Sequence, residues 1–189
     1  IRQFIHRADG WRERHVLGGA FVELPSDVAL PEDAPEGAIQ EVNEAAQHFA
    51  AWFGARLKRH GGAGLLIDYG PAESGFGDSL QAMRAGQPVD PLVAPGAVDI
   101  TAHVDFAAFA AAARAAGALA HGPLPQGVFL QRLGFMTRAA MLARLDPARA
   151  QAQLTAAHRL TAPEAMGRLF KALALCDSSL PIPAGFETA

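Results

Sequence analysis

Residues 63–70, Ala-Gly-Leu-Leu-Ile-Asp-Tyr-Gly, form a short apolar run that ends in a polar pair and a glycine. Such a run reads as a buried parallel strand that delivers its last residues into a functional loop. Helical spacing precedes it: Ala46, Phe49, Phe53 and Leu57 recur on one face, Asn43 offers an N-cap, and Gly61-Gly62 closes the segment. A further apolar element follows. Helix, buried strand and apolar element in succession predict an α/β sheet.

The 189 residues suit one domain. Half of them are apolar and 19% are charged, which is enough to build a core and excludes general disorder. No apolar run approaches the ~20 residues that a membrane span requires. A single cysteine, Cys176, rules out an internal disulfide framework, and it sits in an apolar run as a packing residue. The net charge of −3 gives no footprint for nucleic acid. The chain opens at Ile1, inside a strand-like run and with no signal-peptide pattern, as if entered in mid-fold. These features predict a cytoplasmic, reducing environment.

Along the chain, residues 1–24 predict a small antiparallel β unit. Strands at 1–6 and 11–16 flank the Asp9-Gly10 turn, and a third follows Gly18-Gly19 at 21–24. Residues 25–37 read as a surface loop. Pro71 to Gly96 reads as one long loop of the kind that binds ligands or forms lids. Asp105 caps a predicted helix at 106–116. A short strand at 119–121 stops at Gly122-Pro123. Helices follow between Gln126 and Ala157, a short one starts at Pro163, and a last strand occupies 168–176. Residues 178–189 are expected to fray as a tail. The domain thus runs over 1–177, with the β unit at 1–24 and the α/β part at 43–177.

Charge is unevenly spread. Seven acids and no lysine or arginine lie between His15 and Ala55, whereas Arg114 to Lys171 holds eight bases against Asp146 and Glu164. The pattern fits solvated faces, or an acidic rim that gathers a cationic substrate while a basic surface faces something else.

Among the motifs, Gly75-Phe76-Gly77 lacks a third glycine and does not lead from a strand into a helix, so it is a weak nucleotide signal. His103-Val104-Asp105 presents two possible metal ligands, but a capping aspartate beside a loop histidine accounts for them, and no metal site is expected. Asp68 is the stronger candidate. A carboxylate just beyond a buried parallel strand lies where open α/β sheets bind ligands, and burial there would perturb its pKa.

Several segments together resemble one family. They are Gly10-Trp11-Arg12-Glu13, residues 64–70, Gly77-Asp78-Ser79-Leu80-Gln81, and Asp90-Pro91-Leu92 with Pro95-Gly96. Asp99-Ile100-Thr101-Ala102-His103-Val104-Asp105-Phe106, Gln126-Gly127-Val128-Phe129-Leu130 and Met166-Gly167-Arg168-Leu169-Phe170 complete the set. In this order they resemble the C-terminal half of MidA-type methyltransferases, a family that includes a mitochondrial factor methylating an arginine on a core subunit of respiratory complex I.

The resemblance implies the C-terminal part of a class I, Rossmann-like methyltransferase sheet. Residues 63–69 would be its fifth strand, 118–121 the sixth and 169–176 the antiparallel seventh, with 1–24 an inserted β unit. It implies S-adenosylmethionine as cofactor, held mostly by a glycine-rich loop and an acidic residue upstream of Ile1. It also implies a protein substrate, such as a respiratory complex subunit, and allows a homodimer. Arginine is protonated at neutral pH, so carboxylates must hold the guanidinium and orient one nitrogen. Asp68, Asp105 and Glu41 are the candidates for that role, with Tyr69 and His103 positioning the acceptor. The competing expectation is a non-enzymatic assembly module that binds a partner protein.

Overall fold

The computed structural model describes residues 1–94 and 96–187; Pro95 and the last two residues lie outside the described part. The chain divides into two compact units. One comprises residues 1–45 and 75–103, the other 46–74 and 104–189.

The first unit is built from two antiparallel sheets. Strands β1 (Arg2–Arg7), β2 (Gly10–Leu17), β3 (Ala20–Pro25) and β4 (Ile39–Val42) form one, in the order β3-β2-β1-β4. Both predicted hairpin turns are present, with Gly10, Gly18 and Gly19 at positive φ. β4 falls between the loop expected at 25–37 and the helix expected after Asn43, in a stretch to which the sequence assigned no element. It pairs with β1 through Phe4↔Gln40 and Ile5↔Ile39, burying Phe4 and Ile5.

Residues 71–96 are not one long loop. They contain a hairpin of β6 (Gln81–Arg84) and β7 (Gln87–Val89), numbered after β5 below, and β8 (Asp99–Thr101) pairs on the other side of β6. The turn is Ala85-Gly86, with φ of 50° and 76°. Two positive φ values in a two-residue loop match the twist of a hairpin, a geometry usually announced by Asn-Gly or Asp-Gly. Ala85 in the first place hid it.

The second unit contains the α/β part. Helix α1 (Glu44–His60) begins directly after Asn43 and leads into β5 (Ala63–Tyr69). Helix α2 (Phe106–Ala115), β9 (Leu119–Pro125), α3 (Gln126–Arg132), α4 (Phe135–Leu145), α5 (Ala150–Thr161), a single π-turn at Pro163–Gly167 and β10 (Phe170–Cys176) follow. The sheet order is β5-β10-β9, with β10 antiparallel to both neighbours. β9 does not stop at Gly122-Pro123 but crosses it, with a register shift opposite Ala172–Ala174.

The expected buried parallel strand is corrected here. β5 is an edge strand paired antiparallel to β10. On one face, Leu66, Leu173 and Leu175 pack with Ala50, Leu57, Phe106, Phe109 and Ala113 of α1 and α2. These helices approach closely: a Cβ at Gly54 would meet the Ala113 carbonyl at 2.5 Å. On the other face, Phe129 and Phe186 cover Ala172 and Ala174 of the central strand but leave Leu65 and Ile67, 53% and 43% exposed. The tail is also corrected. Phe186 is buried with its ring 5.0 Å from Phe129, and Arg132 donates to the carbonyls of Gly185 and Glu187.

Candidate functional site

In the second unit, the end of β5 meets the start of α2. Val104 donates its backbone N–H to the Tyr69 carbonyl at 3.1 Å. Gly70 makes that approach possible, since a Cβ there would lie 2.1 Å from the Val104 carbonyl oxygen. Asp105 is the expected N-cap: its Oδ1 accepts from Ala108 N–H at 2.9 Å and from the Ser74 hydroxyl at 2.9 Å. The Ser74 bond ties the segment after Gly70 to the same helix end. Asp68 is exposed, not buried as expected: it lies near the end of β5, past the Leu66 that packs against α1 and α2, and its Oδ1 accepts from Tyr69 N–H at 2.8 Å. The Tyr69 ring stands edge-on to Phe170 at 5.6 Å. Asp68, Tyr69 and Asp105 are therefore brought to one end of the sheet by backbone contacts between the two segments that carry them.

Lys171 fixes this end from below. Its Nζ donates to the carbonyls of Arg168 at 2.7 Å, Gly70 at 2.9 Å and Leu169 at 3.2 Å. An ammonium has three N–H donors and no acceptor, so three carbonyls use its full capacity. Burial, with the like charge of Arg168, pushes Lys171 below the usual lysine value. Nothing in the local sequence singles this lysine out, since one of its partners lies 101 residues away.

Glu41 and His103 belong to the first unit, within a polar network. Glu41 Oε1 accepts from Gln3 Nε2 at 2.7 Å and from the backbone N–H groups of Ser79 and Leu80, both at 3.1 Å. The Ser79 hydroxyl donates to Glu41 Oε2 and accepts from His103 N–H at 2.9 Å. Gln3, itself buried, also donates to Asp78 at 2.7 Å, and Arg14 donates to both Gln3 and Asp78. Glu41 thus pins residues 79–80 to β4, and Ser79 in turn holds the backbone at His103. Gln3, Asp78 and Ser79 complete the network; Asp78 and Ser79 lie in a segment noted only for its family likeness.

Two other expectations can be placed. Gly75-Phe76-Gly77 leads into the β6–β7 hairpin, and Gly77 N–H bonds the Ile39 carbonyl, so it offers no helix N-terminus to a phosphate or a cofactor carboxylate. It does not fit a cofactor cradle. Cys176 is fully buried, and burial, with Asp177 beside it, pushes its thiol up.

Residues 1–124 match the family described as "Putative S-adenosyl-L-methionine-dependent methyltransferase". Among curated proteins, the chain is 30% identical over 204 residues to the mitochondrial protein arginine methyltransferase NDUFAF7 of Xenopus laevis, covering 95% of this chain and 46% of that protein. It is 38% identical over 125 residues to the mitochondrial Drosophila melanogaster homologue, covering 64% of this chain and 28% of that one. Among solved structures, a COG1565-superfamily protein from Burkholderia thailandensis bound to S-adenosyl-homocysteine superposes with a TM-score of 0.81 at 29% identity, covering all of this chain and 51% of that one. The chain therefore spans less than half the length of these curated relatives and about half that of the solved structure. The expected cytoplasmic location is overturned: both curated relatives are mitochondrial proteins.

Proposed function

Because the chain belongs to this S-adenosyl-L-methionine-dependent methyltransferase family, we propose that it forms the substrate side of a protein arginine methyltransferase. The sheet order β5-β10-β9 with a reversed central strand supports the C-terminal part of a class I, Rossmann-like sheet. In this reading S-adenosylmethionine supplies the methyl group, and its cradle is contributed mostly by the part of the relatives that this chain does not match. The substrate is a protein, as for NDUFAF7, and a respiratory complex subunit fits the family resemblance.

The observation that carries the reading is the meeting of β5 with α2, which gathers Asp68, Tyr69 and Asp105. Asp68 is exposed and offers its carboxylate to a guanidinium; Asp105 adds a second carboxylate whose position the helix cap and Ser74 fix. Two carboxylates suit the planar fork of arginine, which donates in parallel pairs. Tyr69 limits the approach, and alignment of the acceptor nitrogen supplies much of the rate. Glu41 acts through Ser79 as a strut, with all four of its accepted bonds internal to the protein. His103 lies in the first unit, where the Ser79 hydroxyl accepts from its backbone N–H.

The test is methyl transfer to an arginine-containing protein by this chain joined to the part of the Burkholderia protein it does not cover. Asp68→Asn should lower the rate strongly; an unchanged rate removes Asp68 from the reaction. A joined protein that folds but transfers no methyl group favours the assembly-module reading instead.

A further inference from the structure

The α4–α5 hairpin carries an apolar stripe that no part of the chain covers among the described residues. In α4 the buried residues are Ala139 and Ala143, which turn one side toward the protein. The opposite side carries Arg138, Met141, Leu142 and Leu145 at i, i+3, i+4 and i+7, which places them on one continuous strip. Leu145 is 79% exposed and Met141 53%. Leu145 ends the helix, and the turn beyond it continues through exposed Pro147 to Arg149, whose side chain is 80% exposed.

Charge on this hairpin is mostly positive. Between Arg132 and Arg159 there are five arginines and a single acid, Asp146; Arg149 pairs with Asp146 and Arg132 is held by the Gly185 and Glu187 carbonyls, which leaves Arg138, Arg144 and Arg159. Arg138, Arg144 and Arg159 are exposed. The whole chain carries −3, so this positive surface runs against the overall balance.

We propose that the α4–α5 hairpin docks on an anionic lipid surface, with Met141, Leu142 and Leu145 entering the headgroup boundary and the flanking arginines meeting lipid phosphates. Large apolar side chains on one face of a helix, rimmed by arginine, are the composition of a helix lying in a membrane interface. Anionic headgroups complement the arginines, and the attraction adds to burial of the apolar strip. A second copy of this chain is a poorer occupant, because it would bring the exposed Arg138, Arg144 and Arg159 against their own like charges. The proposal does not depend on the methyltransferase reading.

Flotation of this chain with vesicles tests it. The protein should float with phosphatidylcholine vesicles that contain phosphatidylglycerol, remain behind with phosphatidylcholine alone, and lose binding as salt rises. Met141→Gln with Leu145→Gln should weaken flotation about tenfold or more, and both positions are exposed, so an unchanged thermal midpoint shows that the fold is kept. Leu65→Ser with Ile67→Ser, on the exposed edge strand, should leave flotation unaltered. Absence of flotation, binding indifferent to the Met141/Leu145 pair, or binding carried by the Leu65/Ile67 pair would overturn the proposal. So would a dimer in light scattering that the Met141/Leu145 pair dissolves without any vesicle binding, since the stripe would then serve self-association.

Discussion

Gly70 and Val104 sit so close that a single methyl group cannot enter between them: a Cβ on Gly70 would lie 2.1 Å from the Val104 carbonyl oxygen and 2.8 Å from its nitrogen. Both obstacles are backbone, and the neighbouring Tyr69 carbonyl is bonded to that same nitrogen. Gly70→Ala should therefore force β5 and the start of α2 apart. The expected loss is about 2 kcal/mol or more in chemical denaturation, accompanied by loss of methyl transfer in the joined protein. Wild-type stability in the alanine variant would show that the approach is looser than described.

Lys171→Met keeps the length of the side chain and removes its three donors. The carbonyls of Gly70, Arg168 and Leu169 would lose their shared partner. Bonds from a charged donor are stronger than neutral ones, so the loss should be about 1–3 kcal/mol by urea titration. Amide exchange should rise at the Tyr69–Gly70 turn, with little change in the β1–β4 sheet.

Asp177 supplies a pH prediction. Its carboxylate accepts from the Ser179 hydroxyl and backbone and from Gly62 N–H, which together hold it below the usual aspartate value of 3.8. The unfolded chain then binds a proton at a higher pH than the folded one. Stability from this group is fully present above the ordinary value and falls away as pH drops through the depressed one. Thermal midpoints measured down through that window should decline, and Asp177→Asn should flatten the decline while lowering stability at neutral pH.

Phe186 tests the docked tail. It is buried against Phe129, and truncation to alanine should cost about 3 kcal/mol. The variant should also become sensitive to proteolysis in the segment after Cys176. An unaffected midpoint would return residues 178–187 to the frayed state expected of a terminal segment.

The elements with long periodic patterns were legible in the sequence. α1 follows from Ala46, Phe49, Phe53 and Leu57, α2 from its Asp105 cap, and β10 from the apolar stretch ending in Cys176. Short elements were not. β4 has four residues, too few for a period to show, and the β6–β7 hairpin turns on Ala85-Gly86 without the usual Asn or Asp. The apolar run at 63–67 identified a strand but not its neighbours, and the side chains that cover Ala172 and Ala174 leave Leu65 and Ile67 largely in solvent. The site divides in the same way. Asp68, Tyr69 and Asp105 stand out beside a strand end and a helix cap. Gln3 and Lys171 act through partners 75 and 101 residues away, a relation that no local pattern records.

In the proposed enzyme S-adenosylmethionine binds mostly outside this chain. Titration calorimetry of S-adenosylmethionine into this chain, and into the chain joined to the part of the Burkholderia protein it does not cover, tests that directly. Binding to the joined protein alone is the predicted result, and it would support a cofactor cradle outside the residues described. Tight binding to the short chain would contradict that placement, and no binding to either folded protein would contradict the methyltransferase reading itself.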